Sequence, residues 1–366
     1  MKVHITLVGG QPAPVYNGIV ATQPDKIVFI YSDSTRETAD RIADELKTTA
    51  SERRKFDPVD LNEIERKVLQ CADKYKEDTV TVNISGGTKP WAFYFAKVFG
   101  QMDNATLFYT DQNNMLWNLS DKTSQPIQFD MDSQFRILGH PLDRYISFAT
   151  MGDDDKETLA AIKELMAFSQ GHLFNLISAF NAHPEQTVQT LPNGSSLEWN
   201  KKERRFEVTL FRPSGKNITR TLKSENVRTL LLNAGWFEYE VASMLSKWDK
   251  AKDIRLNCVF PFKDSSPKNE IDVIVDTGSK LLFVECKNQI KNLTDIDKFN
   301  SAVKNYGGLG SKALFVTNAK MDVRAIEKCD DHGILTFSLS DSHLGLDDTK
   351  ALTMLLDSDL FNINSK

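Results

Sequence analysis

Acidic and basic residues flank a Gly-Ser pair in the second half of the sequence. Asp272 and Glu285 lie on either side of Gly278-Ser279, and Lys287 follows Glu285 by two positions. If Gly278-Ser279 is the two-residue turn of a β-hairpin, Asp272 lies opposite Glu285 and Glu270 lies opposite Lys287. The four side chains then share one face of the hairpin, because strand side chains alternate with a period of two.

Two opposed carboxylates repel each other unless a positive charge lies between them. A divalent cation with oxygen ligands is therefore predicted between Asp272 and Glu285. Lys287 would stand beside it, where a lysine can orient the attacking water, deprotonate it as the neutral amine, or stabilise developing negative charge as the ammonium. The alternative is a structural cluster, in which Glu270 and Lys287 form an exposed ion pair and Asp272 faces solvent.

A third acidic ligand is predicted on the preceding helix, Val227 to Leu245, whose apolar residues form one stripe. Glu238 falls inside that stripe, whereas Glu240 lies about 120° from its middle. A buried acid is costly unless it is paired or coordinated, so Glu238 is the candidate ligand, direct or through water. Glu240 is expected in solvent, although a helix break at Gly235 would change this phase.

A glycine-rich segment in the first half, Ser85-Gly86-Gly87-Thr88-Lys89-Pro90, joins a predicted strand to a predicted helix. Its glycines permit close backbone approach, Thr88 can cap the helix and Lys89 adds a positive charge, which predicts an anion site. It is neither a Walker A loop nor a GxGxxG motif. A plain connection with a surface lysine is the alternative, but a second small polar loop, Ser32 to Thr35, favours a phosphate-bearing ligand.

The elements that must position these residues form two α/β series. About the first 120 residues alternate predicted strands and helices, which is typical of an α/β domain with a largely parallel sheet. Ligands of such sheets bind beyond the carboxyl ends of the strands. A predicted helix from Asp153 to Phe180 and a basic β-hairpin between Leu197 and Leu222 lead into the second series. The predicted domains are residues 1–150, a helical linker and hairpin at 151–222, and residues 223–366.

The net charge argues against a protein that binds nucleic acid through a positive charge spread over its whole surface. The 45 basic and 50 acidic residues give a formal net charge of −5. The segment from Glu198 to Arg228 is locally basic, with Trp199, Phe206 and Phe211 interleaved. It is predicted either to grip a flexible strand by charge and stacking or to be an amphipathic hairpin with its aromatic residues in the core.

The four cysteines and six histidines are scattered, so no zinc or disulfide framework is predicted. This usage indicates a reducing compartment, and we expect the cytoplasm. No apolar run approaches the ~20 residues that cross a bilayer, and the first ten residues do not resemble a signal peptide. Neither membrane insertion nor export is expected.

These motifs together resemble a known family. Asp272 with Glu285-Cys286-Lys287, after an acidic helix, resembles the PD-(D/E)xK nuclease superfamily, with Ile271-Asp272 standing where Pro-Asp often stands. The Gly-Gly-Thr-Lys loop and the Ser32 to Thr35 loop resemble those of a CARF domain. The whole chain is similar to the cyclic-oligoadenylate-activated ancillary nucleases of type III CRISPR systems. The implied fold class is α/β, with an N-terminal Rossmann-like CARF domain and a C-terminal restriction-endonuclease-like domain.

The resemblance also implies a ligand, a metal and a substrate. It implies a homodimer whose CARF domains hold one cyclic oligoadenylate, with cyclic tetra-adenylate expected and cyclic hexa-adenylate as the other ring. It implies a metal-dependent, non-specific nuclease of single-stranded DNA or RNA, with nicking of duplex DNA left open, in antiviral defence. The implied ring-binding residues are Gln11, Ser32, Thr35, Gly86, Gly87, Thr88 and Lys89. The implied nuclease residues are Glu238, Asp272 and Glu285, which would bind Mg²⁺ or Mn²⁺, and Lys287, which would assist the water.

Two other functions stay open at the level of the sequence. One is a DNA repair or restriction-type nuclease with no small-molecule activator. The other is a ligand-sensing regulator that binds nucleic acid through an inactive nuclease domain. Whether the CARF half also degrades its own messenger is equally open.

Overall fold

Two sheet-centred α/β units and a small antiparallel sheet make up the protein in the computed structural model. The structure describes residues 1–47, 49–111, 113–127, 130–233, 235–261, 269–290, 292–308, 310–341, 343 and 345–362, with Asn269 described by its backbone alone.

The first unit has a seven-stranded sheet of order β3-β2-β1-β4-β5-β6-β7. The pairs among its first five strands are parallel and the last two strands are antiparallel, which confirms the predicted α/β layer. The strands up to residue 150 are β1 (Lys2–Leu7), β2 (Lys26–Tyr31), β3 (Ala50–Lys55), β4 (Thr79–Asn83), β5 (Ala105–Thr110), β6 (Met115–Asn118), β7 (Thr123–Pro126) and β8 (Arg144–Ser147). The helices are α1 (Pro12–Thr22), α2 (Arg36–Glu45), α3 (Leu61–Lys74), α4 (Lys89–Phe99) and α5 (Met131–Leu138).

Both faces of this sheet are covered, as expected of parallel strands. In β2, Ile27 and Phe29 pack into one apolar cluster, whereas Val28 and Ile30 pack into another on the opposite face. The sequence did not predict α1, which begins at Pro12 and carries little amphipathic pattern because much of it is buried. Nor did it predict β3, whose alternating pattern is largely polar.

The middle of the chain is a long helix, α6 (Asp153–Ala182), packed on a four-stranded sheet of order β12-β11-β10-β9. The strands are β9 (Val188–Thr190), β10 (Ser196–Asn200), β11 (Arg205–Phe211) and β12 (Asn217–Lys223). The β11–β12 pairing confirms the predicted hairpin. Phe206 is buried against Phe180 and Trp199, so the core alternative is right for this ring.

Helix α6 is kinked at Ser169, whose φ of −160° and ψ of 85° are not helical. A kink frees backbone carbonyls from helical hydrogen bonds. The guanidinium of Arg212 supplies hydrogen-bond donors to carbonyls at this kink. Its Nε donates to the carbonyl of Phe168 at 2.7 Å, and its Nη2 donates to that of Ala167 at 3.2 Å. Arg212 is therefore a structural residue of the hairpin.

The last unit is a six-stranded mixed sheet of order β17-β16-β15-β14-β13-β8. Its further strands are β13 (Asp253–Phe260), β14 (Asn269–Asp276), β15 (Leu281–Lys287), β16 (Lys312–Thr317) and β17 (Ile334–Ser338). Its helices are α7 (Val227–Leu232), α8 (Gly235–Leu245), α9 (Thr294–Tyr306), α10 (Val323–Asp331) and α11 (Asp348–Phe361). The proposed domain boundary near residue 150 stays a prediction, and the structure adds that β8, before that boundary, pairs with β13.

One predicted helix is wrong as a single element. The segment from Val227 to Leu245 is two helices, and α8 begins at Gly235. The reason is a close approach: a Cβ on Gly235 would lie 2.7 Å from the carbonyl oxygen of Thr229, so only glycine lets the second helix start against the first. Among the described residues, no helix combines the length and the apolar character that crossing a bilayer requires.

Candidate active site and ligand-binding loops

The β14–β15 hairpin has the register that the sequence predicts. Val273 pairs with Val284 and Asp276 pairs with Leu281 across the Gly278-Ser279 turn. Gly278 has a φ of +83°, a left-handed conformation that favours glycine at this turn. One step beyond the last paired residues, Asp272 and Glu285 lie at neighbouring positions of the two strands.

The two acids share a cluster with Lys287. Its Nζ lies 2.5 Å from Glu285 Oε1 and 3.8 Å from Asp272 Oδ2. Asp272 Oδ2 also accepts a hydrogen bond of 2.7 Å from the backbone N–H of Cys286. The side chains of Asp272 and Glu285 are only 13% and 14% exposed, so the alternative in which Asp272 faces solvent is wrong.

Glu238 joins this cluster from helix α8. The residue is 9% exposed, and its Oε2 accepts a hydrogen bond of 2.6 Å from Asn257 Nδ2. Glu240, two positions on, instead forms an ion pair of 2.7 Å with Lys163 on α6. The helical phase argument is therefore right that Glu238 is the buried glutamate, even though the helix is broken before α8, but Glu240 is half-buried in an ion pair and not in solvent as expected.

Asn257 is a site residue that the sequence analysis missed. It lies at a β-bulge in β13, where the register against β8 shifts between Leu256 and Val259, and its φ is +50°. Bulges re-aim side chains and are common beside active sites. The available signal was a lone amide within the apolar run Leu256-Asn257-Cys258-Val259.

Burial and mutual repulsion raise the pKa values of the three acids. Burial, and then the charge of Asp272, raise the pKa of Glu238 to about 8 and that of Glu285 to about 7. Burial also raises the pKa of Asp272, against the opposing effects of Lys287 and the Cys286 N–H. Burial disfavours the charged form of Lys287, but Asp272 and Glu285 outweigh it and raise the Lys287 pKa. The cluster therefore attracts positive charge.

This donor set fits a hard divalent cation, because carboxylate oxygens are the ligands that such ions prefer. One ammonium cannot balance three carboxylates, and a buried unbalanced charge is costly. Among the described residues, the ammonium group of Lys287 is the positive charge in contact with Glu285. Within the described ranges, no group of three or more Asp, Glu, His or Cys side chains is already spaced to hold a metal ion.

The predicted ligand loops of the first unit meet at one edge of its sheet. They follow β1, β2 and β4, which are neighbours in the sheet. A Cβ on Gly86 would lie 2.2 Å from the carbonyl oxygen of Leu7, and a Cβ on Gly9 would lie 2.8 Å from the Gly87 nitrogen. The loops after β1 and β4 are thus in backbone contact, which explains their glycines.

Thr88 caps α4, as predicted, by accepting a hydrogen bond of 3.4 Å from the Trp91 N–H. Its hydroxyl donates to the carbonyl of Pro58 at 3.0 Å. Pro58 lines a cavity of about 520 Å³ together with Ser32 and Lys55, so Thr88 is linked through Pro58 to the space that the Ser32 loop borders. Lys89 is exposed at the first turn of α4.

Ser32 and Thr35 organise their own loop. The Ser32 N–H donates to Thr35 Oγ1 at 3.0 Å, and the Ser32 hydroxyl lies 2.9 Å from that of Ser34. Gln11 lies elsewhere: with Ser85 it lines a second cavity of about 180 Å³. Of the seven predicted ligand residues, Ser32 lines the first cavity and Gln11 lines the second, and the loops that carry all seven follow neighbouring strands of one sheet.

The second cavity lies between the two α/β units, and the turn of the β14–β15 hairpin forms one of its walls. Asn114 Nδ2 donates to the carbonyl of Ser279 at 2.6 Å. Asn17 Nδ2 donates to Asn114 Oδ1 at 2.9 Å, and Gln134 Nε2 donates to Asn17 Oδ1 at 2.8 Å. We call Gln134, Asn17 and Asn114 the amide chain. The sequence analysis missed it because its members are distant in sequence.

Residues 3–137 match the family model of the Card1 CARF domain, and residues 225–348 match that of the Card1-like endonuclease domain. Together the two models cover more than half of the chain. The chain belongs to the Card1-like CARF endonucleases. This assignment confirms the predicted two-domain α/β fold and the predicted family, and it makes the protein a nuclease by domain content.

Solved structures of low sequence identity share the fold of this CARF endonuclease. Can2 from Sulfobacillus thermosulfidooxidans in complex with cyclic tetra-adenylate is 18% identical, with a TM-score of 0.70 over 98% of this chain and 99% of that chain. Protein VC1899 from Vibrio cholerae is 18% identical, with a TM-score of 0.77 over 98% of both chains. A type III CRISPR defence DNA nuclease activated by cyclic oligoadenylate is 15% identical, with a TM-score of 0.64 over 98% of this chain and 52% of that chain. No curated protein matches the chain.

Proposed function

We propose that binding of a cyclic oligoadenylate to the CARF domain activates metal-dependent hydrolysis of single-stranded nucleic acid by the endonuclease domain. The observation that carries this proposal is the ion-paired cluster of Asp272, Glu285 and Lys287, with the buried Glu238 of a separate helix close enough to interact with the charge of Asp272. A set of carboxylates with one lysine is suited to phosphodiester hydrolysis. The substrate is single-stranded DNA or RNA, with nicking of duplex DNA as a further activity to test.

In the proposed mechanism, Glu238, Asp272 and Glu285 would hold Mg²⁺ or Mn²⁺. When bound, the metal ion supplies an activated water and a positive charge at the phosphate. Asn257 keeps Glu238 oriented through its hydrogen bond. Lys287 moves from Glu285 toward the substrate, where its ammonium group orients the attacking water and stabilises the negative charge that develops on the phosphate.

The activator is proposed to be cyclic tetra-adenylate, with cyclic hexa-adenylate as the alternative ring. Its phosphates would contact the Gly86 to Lys89 segment, while Gln11, Ser32 and Thr35 contact the rest of the ring. The support is that these loops follow neighbouring strands at the carboxyl edge of the sheet, where Gln11 and Ser32 each line a cavity. A symmetric ring suits a homodimer, in which two identical edges face each other.

The amide chain supplies a route from the ring to the nuclease. Ser85, next to the glycine-rich loop, donates its hydroxyl to Asn83 Oδ1 at 2.5 Å, and Asn83 Nδ2 donates to the Pro14 carbonyl in α1 at 3.0 Å. Asn17 on the same helix leads through Asn114 to the turn of the catalytic hairpin. A shift of α1 on ring binding would therefore change the position of that turn.

The test is cleavage of labelled single-stranded DNA, single-stranded RNA and supercoiled plasmid with Mg²⁺ or Mn²⁺, with and without each ring. We expect cleavage only when both metal and ring are present. Glu238→Gln should abolish cleavage, while Glu240→Gln, on the same helix but outside the cluster, serves as the matched control and should not. Cleavage that ignores the ring, with a preference for particular DNA ends, would favour a repair or restriction-type nuclease instead.

A regulator with an inactive nuclease domain is tested separately. Glu285→Ala combined with Lys287→Ala should remove antiviral protection in cells if hydrolysis is the output, whereas a binding protein would keep it. We also propose a cytoplasmic location, which the four buried free thiols support.

A further inference from the structure

A cleft beside the acid cluster has no role in the mechanism above. It has a volume of about 290 Å³, and its walls include Arg144, Tyr145, Asn233, Asn257 and Glu270. Asn257 belongs to both places, because the same side chain donates to Glu238. The cleft is therefore adjacent to the carboxylates that would hold the metal.

Tyr145 has a buried arginine packed on its ring. The guanidinium carbon of Arg255 lies 4.2 Å from the centroid of the Tyr145 ring. Arg255 is itself buried and immobilised, with hydrogen bonds of 2.5 and 3.0 Å to the two carboxylate oxygens of Asp132 and one of 2.8 Å to Asp253. Despite this support the ring remains 41% exposed. An aromatic ring that is already ordered loses little entropy when a planar group stacks on it.

The bulge in β13 is what brings Tyr145 and Asn257 together. Leu256 pairs with Ile146 and Val259 pairs with Arg144, so two residues of β13 face the single residue Tyr145 of β8. Among the strands that the structure describes, β8 is the last of the sheet, so this wall has no paired strand on its outer side. The position next to the acids thus carries an aromatic ring at an accessible sheet edge.

The charges of the cleft fit a nucleotide. Arg144 is exposed at its rim, where it can contact a phosphate, and Asn233 offers both a donor and an acceptor to a base edge. Glu270 is the acidic residue among the named wall residues, and its negative charge disfavours binding of an anion at its end of the cleft. A phosphate is therefore favoured at the Arg144 side and a base at the Tyr145 ring.

We propose that this cleft binds one unpaired nucleotide next to the scissile phosphate, with its base stacked on Tyr145 and its phosphate against Arg144. This inference rests on the proposed nuclease function and deepens it. A base can stack on a protein ring only when one of its faces is free, which is true of a single strand but not of a duplex interior. Tyr145 would thus contribute to a preference for single strands.

The experiment measures binding by the full chain carrying Glu285→Gln, using fluorescence anisotropy with a labelled thymidine oligonucleotide, its duplex and an abasic oligonucleotide of equal length. Loss of one base–aromatic stack costs about 1–3 kcal/mol, so Tyr145→Leu should weaken single-strand binding about 5- to 150-fold. Tyr145→Phe should keep it, and binding of the duplex should change little. The preference for the thymidine strand over the abasic strand should shrink in Tyr145→Leu, which a purely structural role of Tyr145 would not produce.

Arg144→Ala should weaken binding of every strand and reduce the salt dependence by about one phosphate contact. Trp117→Ala, an exposed ring of the first unit, is the control for loss of an aromatic surface. Equal binding by Tyr145→Leu and Trp117→Ala would overturn the inference, as would a loss confined to Phe211→Ala in the basic hairpin. Because binding is measured without cleavage, failure here alongside ring-dependent cleavage by the unsubstituted protein would leave the proposed function standing.

Discussion

At the scale of single residues, the acid cluster is defined by an imbalance of charge. Glu238 is buried and the side chains of Asp272 and Glu285 are largely so, while Lys287 is the cation that contacts Asp272 and Glu285. Burial raises the pKa values of all three acids, so the fold holds them in a state that favours a proton or a cation. The fold therefore keeps these acids where they can bind a cation, although burying their charges lowers the free energy of unfolding.

Asn257→Gly tests how strongly the amide positions Glu238. Glycine accepts the left-handed backbone at this position, so the change removes the hydrogen bond to Glu238 without adding strain. We expect kcat to fall about tenfold with a smaller change in KM, because a misplaced ligand lowers the rate of the chemical step. Steady-state cleavage kinetics at saturating metal measure the effect. An unchanged kcat would show that Glu238 needs no such support.

His4 gives the fold a defined sensitivity to acid. It is fully buried, its Nδ1 lies 2.8 Å from Thr22 Oγ1, and its Nε2 has no partner among the described residues. Burial lowers the pKa of His4 to about 3. Since the unfolded chain binds this proton near pH 6.5, the stability contributed by neutral His4 is present above that pH and is lost as the pH falls toward 3.

Between pH 6.5 and pH 4 this group should remove about 3 kcal/mol from the free energy of unfolding. Chemical denaturation across that range should show a shallower loss for His4→Leu than for the unsubstituted protein. His183→Leu, at an exposed position, should follow the unsubstituted protein. Parallel curves for all three proteins would contradict the assignment.

At the scale of elements, the sequence predicts correctly those features that depend on residues close together in the chain. The Gly278-Ser279 turn fixed the register of the β14–β15 hairpin, and with it the meeting of Asp272 and Glu285. The bulge at Asn257 was beyond prediction, because it depends on pairing with β8, more than a hundred residues earlier. Helix α1 was also missed, since burial between the sheet and its neighbours removes the polar face that would reveal its period.

The two glycines of the first unit's loops offer a matched comparison. Gly86→Ala would place a Cβ 2.2 Å from the backbone oxygen of Leu7, whereas Gly10→Ala would meet nothing within 4 Å. We expect Gly86→Ala to lower the free energy of unfolding by about 1–3 kcal/mol and to weaken ring binding, because the β1 and β4 loops must separate. Gly10→Ala should stay within about 0.5 kcal/mol of the unsubstituted protein. Denaturant titration and calorimetry with cyclic tetra-adenylate measure both quantities, and equal effects would argue against loop contact as the cause.

At the scale of the whole molecule, the CARF domain and the endonuclease domain are in contact at the β14–β15 hairpin, which carries the proposed catalytic acids. The amide chain ends on the Ser279 carbonyl, in the turn that joins the strands of Asp272 and Glu285. The hairpin is therefore both a carrier of the acids and a contact of the first unit. Through this contact, a change in the first unit can shift the equilibrium between two positions of the hairpin.

Asn114→Gly tests this coupling. Glycine keeps the left-handed backbone of Asn114, whose φ is +54°, while removing both hydrogen bonds of its side chain. Loss of about 1 kcal/mol of coupling should reduce activation by the ring about fivefold. The measurement is the ratio of cleavage rates with and without saturating ring. Asn113→Gly, at the exposed neighbouring position, is the control, and equal ratios for the two variants would contradict the proposed route.

The pairing of β8 with β13 also decides how the protein can be divided for recombinant expression. A nuclease fragment that starts after residue 150 would lack β8, so β13 would become an open sheet edge prone to association with other chains. The same fragment would strip Arg255 of Asp132 and Tyr145, leaving a buried guanidinium with Asp253 as its remaining ion-pair partner. A soluble fragment therefore has to begin before α5, inside the segment that matches the sensor domain, and the two activities cannot be separated by a single clean cut.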